Sequence, residues 1–488
     1  MSNVKPSVHV FTLDCLRAST CTERITPFLH TLPLQWTRCY SSGTWTLPSH
    51  ASLFSGQCPI NHGVTRSSDT LSKGDANLPK TAQENGYTTA IFSENPTFSS
   101  SMGFNHYIDV PNDDIHRKLL PSEFSPVKSV EEISVNEAVS LATEVITRPN
   151  RLRNTVNAAY ATYRELFNQD PSYPHHGERI FNHLKSFTSQ RTAPMLTVTN
   201  VLDPHNPYHD TPPEMKESRP QPELEALRAG DDNRIYLLTS EDPPEGVSSI
   251  YDGWESFFHA QESIYEEYAQ EADRLLQEWH NAQTNRFKED LVVILGDHGQ
   301  LFGAEEMVGH HTSLHPHGIN VPLAIDPPHN WKTPTKAIDT PVSTAGVGCA
   351  LMNVIAGEIE TTKELVNNIS YYSQDSNGAV IACADGPTWS IPALHEDDRF
   401  DDSLIDKLAV RKVAYIRDER VDIYRSPWDT ETIESTSFTY TQDARNSVPE
   451  RDTPPITDDA EEWLVQMYNP ENEQRNTVDA RLEALGYV

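Results

Sequence analysis

Four apolar segments of this sequence end on residues able to do chemistry. Segment 8–13 runs into Asp14, segment 88–92 into Ser93-Glu94-Asn95, segment 195–201 into Asp203-Pro204-His205, and segment 290–295 into Gly296-Asp297-His298-Gly299. An isolated Asp after a strand is ordinarily a turn residue or a helix cap. Four such ends together, two of them carrying His, are harder to read that way. In open α/β sheets, ligands bind beyond the carboxyl ends of the strands. The expectation is therefore a convergent polar site.

A second motif is the run Thr44-Trp45-Thr46-Leu47-Pro48-Ser49-His50-Ala51-Ser52-Leu53-Phe54-Ser55-Gly56. Pro48 suits the first turn of a helix, which continues through Ala51 and Phe54 until Gly56 stops it. Thr46 then sits at or just before a helix N-terminus, where free backbone N–H groups stabilise an alkoxide and bind an anionic ester oxygen. Read alone, Thr46 is an N-cap. Further on, segment 309–317 carries His310, His311, His315 and His317. Either this is a wall for a second metal or a phosphate, or His310 acts alone among loop residues; Pro316 and Gly318 mark an irregular loop and favour the latter.

The elements that must position these residues are short, β-branched apolar runs alternating with helical patterns. Segments 8–13, 88–92, 195–201 and 290–295 read as buried parallel strands, with 321–325 and 380–382 as further candidates. Helical patterns cover 77–85, 131–147, 180–187 and 256–281. Alternation over this length predicts an α/β fold with a doubly wound, mostly parallel sheet and helices on both faces. The 488 residues exceed one small core. We divide them into a catalytic domain over 1–386 and a small α+β subdomain over 387–488. Segment 111–191 reads as a polar helical insertion covering one sheet edge, and 206–252 as a loop-rich lid. Short strands at 413–416 and 421–424 precede an acidic linker and a helix ending at Leu485-Gly486-Tyr487.

Net charge is −33, with 71 acidic residues against 38 basic. Self-repulsion of this size opposes compaction unless salt screens it, and at molar salt the Debye length falls to about 3 Å. The expectation is a salt-accumulating cytoplasm such as that of a haloarchaeon, and nucleic acid is disfavoured as a partner. No stretch approaches the roughly 20 apolar residues of a membrane span, so no integral membrane anchor is expected. No signal-peptide pattern precedes the first strand, which points to the cytoplasm. The 6 cysteines show no metal-finger spacing and read as reduced, mostly buried thiols.

Asp14-Cys15-Leu16-Arg17, the Thr-x-Pro-Ser-His-Ala-x-Leu-x-Ser-Gly run from Thr46 to Gly56, Asp203-Pro204-His205-Asn206-Pro207-Tyr208, Gly296-Asp297-His298-Gly299, Gly309-His310 and Val321-Pro322-Leu323 follow one another in a recognisable order. Over residues 7 to 326 the chain resembles the sulfatases of the alkaline phosphatase superfamily. The resemblance implies that Asp14, Asp297, His298 and the Thr46 hydroxyl bind a divalent metal. Thr46 would attack sulfur or phosphorus in line, its hydroxyl activated by coordination. His205 and His310 would hydrogen-bond the ester oxygens or protonate the leaving alcohol. His50, Asn95 and His311 are the expected substrate contacts.

The departures from that family matter as much. Sulfatases carry a Cys or Ser, oxidised to formylglycine, in C/S-x-P-x-R; here Thr46 takes that place and His50 replaces the Arg, so no formylglycine is expected. Cys15 replaces the usual second carboxylate. Fewer hard oxygens and an added imidazole favour manganese or zinc, with calcium and magnesium as alternatives. Cys15 itself reads as a buried thiol rather than a ligand. The segment Ser93-Glu94-Asn95-Pro96 lacks the cations that grip sulfate in many relatives. The expected function is therefore metal-dependent hydrolysis of sulfuric or phosphoric mono- and diesters, on a small-molecule or glycan substrate, through a Thr nucleophile. The alternatives are a phospho-head-group transferase or phosphodiesterase of the same superfamily, and a non-catalytic sulfatase-like binding protein.

Overall fold

The computed structural model describes residues 5–65, 77–95, 97–98, 102–109, 155–156, 176–189, 194–205, 248–283, 289–304, 307–331, 336–386, 402–418, 420–428, 432–441, 444–447 and 456–465. Its strands in chain order are β1 (Val8–Leu13), β2 (Leu34–Tyr40), β3 (Thr88–Ser93), β4 (His106–Asp109), β5 (Met195–Val201), β6 (Leu291–Gly296), β7 (Leu301–Phe302), β8 (Val308–Gly309), β9 (Asn320–Asp326), β10 (Lys336–Ile338), β11 (Val342–Ser343), β12 (Val380–Ala384), β13 (Val410–Arg417), β14 (Arg420–Pro427), β15 (Glu434–Thr441) and β16 (Ala444–Ser447). The helices are α1 (Thr46–Ser55), α2 (Pro59–His62), α3 (Leu78–Glu84), α4 (His176–Ser189), α5 (Trp254–Gln283), α6 (Pro316–Ile319), α7 (Thr344–Ala356), α8 (Thr362–Ser373), α9 (Asp402–Leu408) and α10 (Asp458–Val465).

The main sheet runs β10-β2-β9-β6-β1-β5-β3-β4, with β11 also on β2. Strands β1, β5, β6, β3 and β4 pair in parallel, and β9 alone runs against its neighbours β6 and β2. Period-two alternation divides each strand between two cores. Val8, Val10, Val293 and Leu295 pack under α1, α3, α7 and α8. Phe11, Leu13, Val292 and Ile294 pack under α4 and α5 on the opposite face. Each such side chain, buried in full, contributes roughly 1.5–3 kcal/mol. The expected doubly wound sheet with helices on both faces is thus present.

Three expectations change. Segment 321–325 is a strand but antiparallel; among the described residues between β6 and β9 stand β7, β8 and the short α6, without the crossover helix a parallel return needs. Segment 380–382 lies in β12, the first strand of a separate antiparallel sheet β12-β13-β14-β15-β16. That sheet therefore starts before residue 387; a short apolar run does not encode which partner it will find. Strand β2 was not anticipated, since Gln35, Thr37 and Arg38 interrupt its apolar residues. Within the expected insertion, α4 lies on a sheet face, with Ile180, Phe181 and Leu184 in the core. The expected helix at 131–147, most of the 206–252 loop and the terminal helix lie outside the described residues. Among the described residues no helix is long and apolar enough to cross a membrane.

Candidate active site

The carboxyl ends of β1, β3, β5 and β6 meet as their register requires. Thr12 of β1 and Ser93 of β3 both lie beside Asn200 of β5. Asn200 Nδ2 donates to Asp14 Oδ2 at 3.2 Å, and its Oδ1 accepts from Ser93 Oγ at 3.2 Å. Asn95 Nδ2 donates to the same Asp14 Oδ2 at 2.9 Å and to Thr46 Oγ1 at 3.3 Å. The orientation of the Asn95 amide is set by Thr97, whose N and Oγ1 donate to Asn95 Oδ1 at 2.9 and 2.7 Å. One carboxylate oxygen of Asp14 is thereby committed to two amides, and the other is left to face the site.

Thr46 is the first residue of α1. Its N-cap is Trp45, which makes no side-chain capping bond, and Gly56 closes the helix at φ 69°. Thr46 is thus not the cap; its hydroxyl points to the strand ends. On β6's loop, Asp297 Oδ1 accepts from the backbone N–H of His298 at 2.8 Å and of Cys15 at 3.2 Å. His298 Nδ1 is 3.0 Å from the Gly299 carbonyl, which can only accept, so the ring proton is on Nδ1. The lone pair on Nε2 then faces Thr46 Oγ1 at 3.4 Å, Asp297 Oδ2 at 3.5 Å and Asp14 Oδ1 at 3.6 Å.

This arrangement places electron pairs against electron pairs. Asp14 Oδ1 and Asp297 Oδ2 are buried and have no hydrogen-bond partner. Unpaired buried carboxylate oxygens are expensive, and neighbouring ones more so. The spacing explains the arrangement: ligands about 2.1 Å from one tetrahedral cation lie about 3.4 Å from each other. Asp14, Asp297 and His298 each offer an atom within 4.8 Å of the others. The donor set fits a divalent metal.

The electrostatics agree. Burial pushes Asp14 up, but His205, His298 and the Asn95 and Asn200 amides outweigh it and hold its carboxyl below the usual value. Burial and the Asp14 charge push Asp297 well above it. Burial draws His298 down to about 4, so its imidazole is neutral and available as a ligand.

The second half of the site is a wall of imidazoles. The His310 ring lies 4.5 Å from His298, 5.3 Å from His205 and 4.2 Å from His311. His310 donates from Nδ1 to Gln300 Oε1 at 2.9 Å, leaving Nε2 its lone pair. Burial, then the neighbouring His311, His298 and His205, hold His310 well below the ordinary histidine value. Cys15, at φ 64°, places Sγ 3.7 Å from His310 Nδ1 and 3.8 Å from His298 Nδ1. Burial and the charges of Asp14 and Asp297 push this thiol well up. All 6 cysteines are free, and Cys15, Cys39 and Cys383 are buried.

Asp14, Thr46, Asp297, His298, His205, His310 and His311 therefore come together. Two of the expected substrate contacts make hydrogen bonds within the protein. Asn95 is committed to Asp14 and Thr46. His50 donates from Nδ1 to the Thr46 carbonyl at 2.8 Å and accepts at Nε2 from Thr12 Oγ1 at 3.0 Å. His315 and His317 turn to each other, the former capping α6. Sequence reasoning missed Thr12, Asn200 and Gln300. The signal was there for one of them: an Asn inside the otherwise Val-, Thr- and Leu-rich strand β5. Asp203 accepts from the Gly177 backbone N–H at 3.3 Å, joining the turn that carries His205 to the start of α4.

The sulfatase family profile matches residues 19–356. No curated protein sequence matches. Among solved structures, the phosphonate monoester hydrolase of Agrobacterium radiobacter is 16% identical, with a TM-score of 0.57, over 89% of each chain. The phosphonate monoester hydrolase of Silicibacter pomeroyi is 13% identical, with a TM-score of 0.53, over 98% of this chain and 96% of its own. A protein solved with its substrate D-glucosamine-2-N,6-O-disulfate is 11% identical, with a TM-score of 0.57, over 99% of this chain and 98% of its own.

Proposed function

This chain belongs to the sulfatase family and is a sulfatase-like ester hydrolase, and from that premise we propose that it cleaves sulfuric or phosphoric esters with Thr46 as the nucleophile. The observation that carries this reading is the meeting of Asp14 Oδ1, Asp297 Oδ2 and Thr46 Oγ1 around the lone pair of His298 Nε2. A divalent cation held by these four groups would supply the positive charge that lowers the hydroxyl's pKa and neutralises the ester oxygens. The imidazole among the donors favours manganese or zinc. Thr46 cannot be oxidised to formylglycine and acts as threonine.

The residues divide the work. Asn95 orients the Thr46 hydroxyl and, with Asn200, fixes Asp14. His50 braces the first turn of α1 against β1. Thr46 Oγ1 forms a bond to sulfur or phosphorus while the bond to the alcohol oxygen breaks. The proton lost by Thr46 passes to the wall of His205 and His310, which returns it to the leaving alkoxide. Water then attacks the threonine ester, releasing the acid and restoring the hydroxyl. His311 contacts the bound ester. A glycan or small sugar ester is the substrate class we favour, in keeping with the neighbour that binds a glucosamine disulfate. Transfer to an acceptor alcohol is a second reading. It is supported by Thr46 itself, whose ester lacks the second hydroxyl through which a formylglycine hydrate expels sulfate.

The test is turnover of p-nitrophenyl sulfate, p-nitrophenyl phosphate, p-nitrophenyl phenylphosphonate and bis-p-nitrophenyl phosphate at high salt with manganese or zinc. The expected result is metal-dependent hydrolysis of at least one, abolished in Thr46→Ala. Equal turnover by both proteins would remove Thr46 from the chemistry. The charge of −33 supports a working environment of molar salt, within a cytoplasm. Dialysis to low salt is expected to unfold the protein by circular dichroism, and an unchanged spectrum would count against that habitat.

A further inference from the structure

The five-stranded sheet meets the active-site loops directly. The Cys383 backbone N–H of β12 donates to the Ser42 carbonyl at 2.9 Å, just before the turn that leads to Thr46. Ala382, Ala414 and Ile416 share an apolar cluster with Tyr40, Leu314 and Ile319. Lys412 of β13, on the same strand face as Ala414 and Ile416 by alternation, donates from Nζ to the Thr312 carbonyl at 2.7 Å.

Thr312 is the residue after His311, whose backbone is strained. His311 stands at φ 95°, a region that a non-glycine residue occupies only when its surroundings hold it there. Thr44 holds one side: the His311 N–H donates to the Thr44 carbonyl at 3.1 Å, and Thr44 Oγ1 donates to the His311 carbonyl. Lys412 holds the other. Among the described residues, that carbonyl is the ammonium's hydrogen-bond partner, and no carboxylate pairs with it.

Resting on the reading of the site given above, we propose that Lys412 is a positioning residue, pinning the Thr312 carbonyl so that His310 and His311 stay in place over Thr46. The lysine is a poor choice for stability alone. Lys412 is half-buried, and burial, with Arg425 on the adjacent strand, draws its pKa down to about 8. An apolar side chain of the same length would avoid that desolvation but could not hold the carbonyl. The second sheet thereby contributes to the active site through one hydrogen bond and its apolar seat.

The experiment compares wild type, Lys412→Met, Lys412→Arg and Thr46→Ala, each loaded with manganese or zinc, on whichever p-nitrophenyl ester the wild type cleaves. Lys412→Met is expected to lose about 10- to 100-fold in kcat, the scale of a small misplacement of catalytic groups. Its KM should stay within about 3-fold, as for a change felt in the transition state. Metal content should be unchanged and the thermal midpoint equal or higher, while Lys412→Arg, which keeps a donor, recovers most of the rate. A kcat within about 2-fold of wild type overturns the proposal. So does a rate loss that merely follows a lowered thermal midpoint. Should Lys412→Met not fold, Lys412→Gln takes its place under the same criteria. Histidine ring resonances, with those of His310 identified through His310→Gln, give a readout that needs no turnover: they should shift in Lys412→Met. If Thr46→Ala and wild type are equally active, the nucleophile reading fails while these resonances still decide the role of Lys412; unshifted resonances overturn it.

Discussion

The two halves of the active site are built differently. Asp14, Thr46, Asp297 and His298 stand at strand ends and a helix start, and hydrogen bonds within the main sheet set their orientation. His205, His310 and His311 stand on turns, oriented by side chains from elsewhere: Gln300, Thr44 and the second sheet. In the function proposed above, the first half holds a cation and must be rigid, since a cation tolerates little error in its ligands. In the same proposal the second half handles protons, and its loss leaves the cation and the nucleophile in place. Substitutions should therefore be most damaging in the first half.

The largest effect is expected from Asp297→Asn, which removes a charge from the donor set. Bound manganese or zinc should disappear by elemental analysis, and activity should fall about a thousandfold. Retention of both metal and rate would erase the distinction between the halves. His310→Ala should cost about a hundredfold with metal content intact. That loss should shrink for esters of acidic phenols, whose alkoxides leave without a proton, and a loss independent of the leaving group would exclude His310 as proton carrier. Asn200→Ala removes one of two amides from Asp14 and should weaken metal binding about tenfold, measured by competition with a chelator. An unchanged affinity would mean that Asn95 alone suffices.

The smallest effect concerns the frame around the first half. His62 bonds Ser52 Oγ and the Val64 N–H, and burial draws it from 6.5 to about 4. The unfolded chain binds this proton near 6.5 and the folded one only near 4, so stability is complete above 6.5 and declines as pH falls toward 4. At about 1.4 kcal/mol per unit, His62 accounts for about 3 kcal/mol of that decline. His62→Gln should flatten the profile of thermal midpoint against pH; an identical slope would show that other groups set it.

The strand ends made Asp14, Asp297 and His298 legible, because an apolar run followed by a polar cluster is a local pattern. Thr46 was legible from Pro48 and Gly56, which mark the start and stop of α1. Asn200, Thr12 and Gln300 were not. Their importance comes from partners in other strands and loops, and a polar residue in or beside a strand carries no mark of its partner. The bonds of His50 were not legible for the same reason: Thr12, which reaches its Nε2, lies across the helix–sheet interface.

The sequence by itself determined the local matters: where strands end, where α1 starts, that a threonine begins that helix, and a net charge of −33. These follow from interactions within a few residues and from composition. Tertiary structure decided that β9 reverses, that β12 leaves the main sheet for the second, and that Lys412 reaches the histidine loop. It also decided which oxygens of Asp14 and Asp297 are hydrogen-bonded and which are left without a partner. Such choices depend on pairing register and packing between distant segments, where the free energy resides in contacts that no short window of sequence contains.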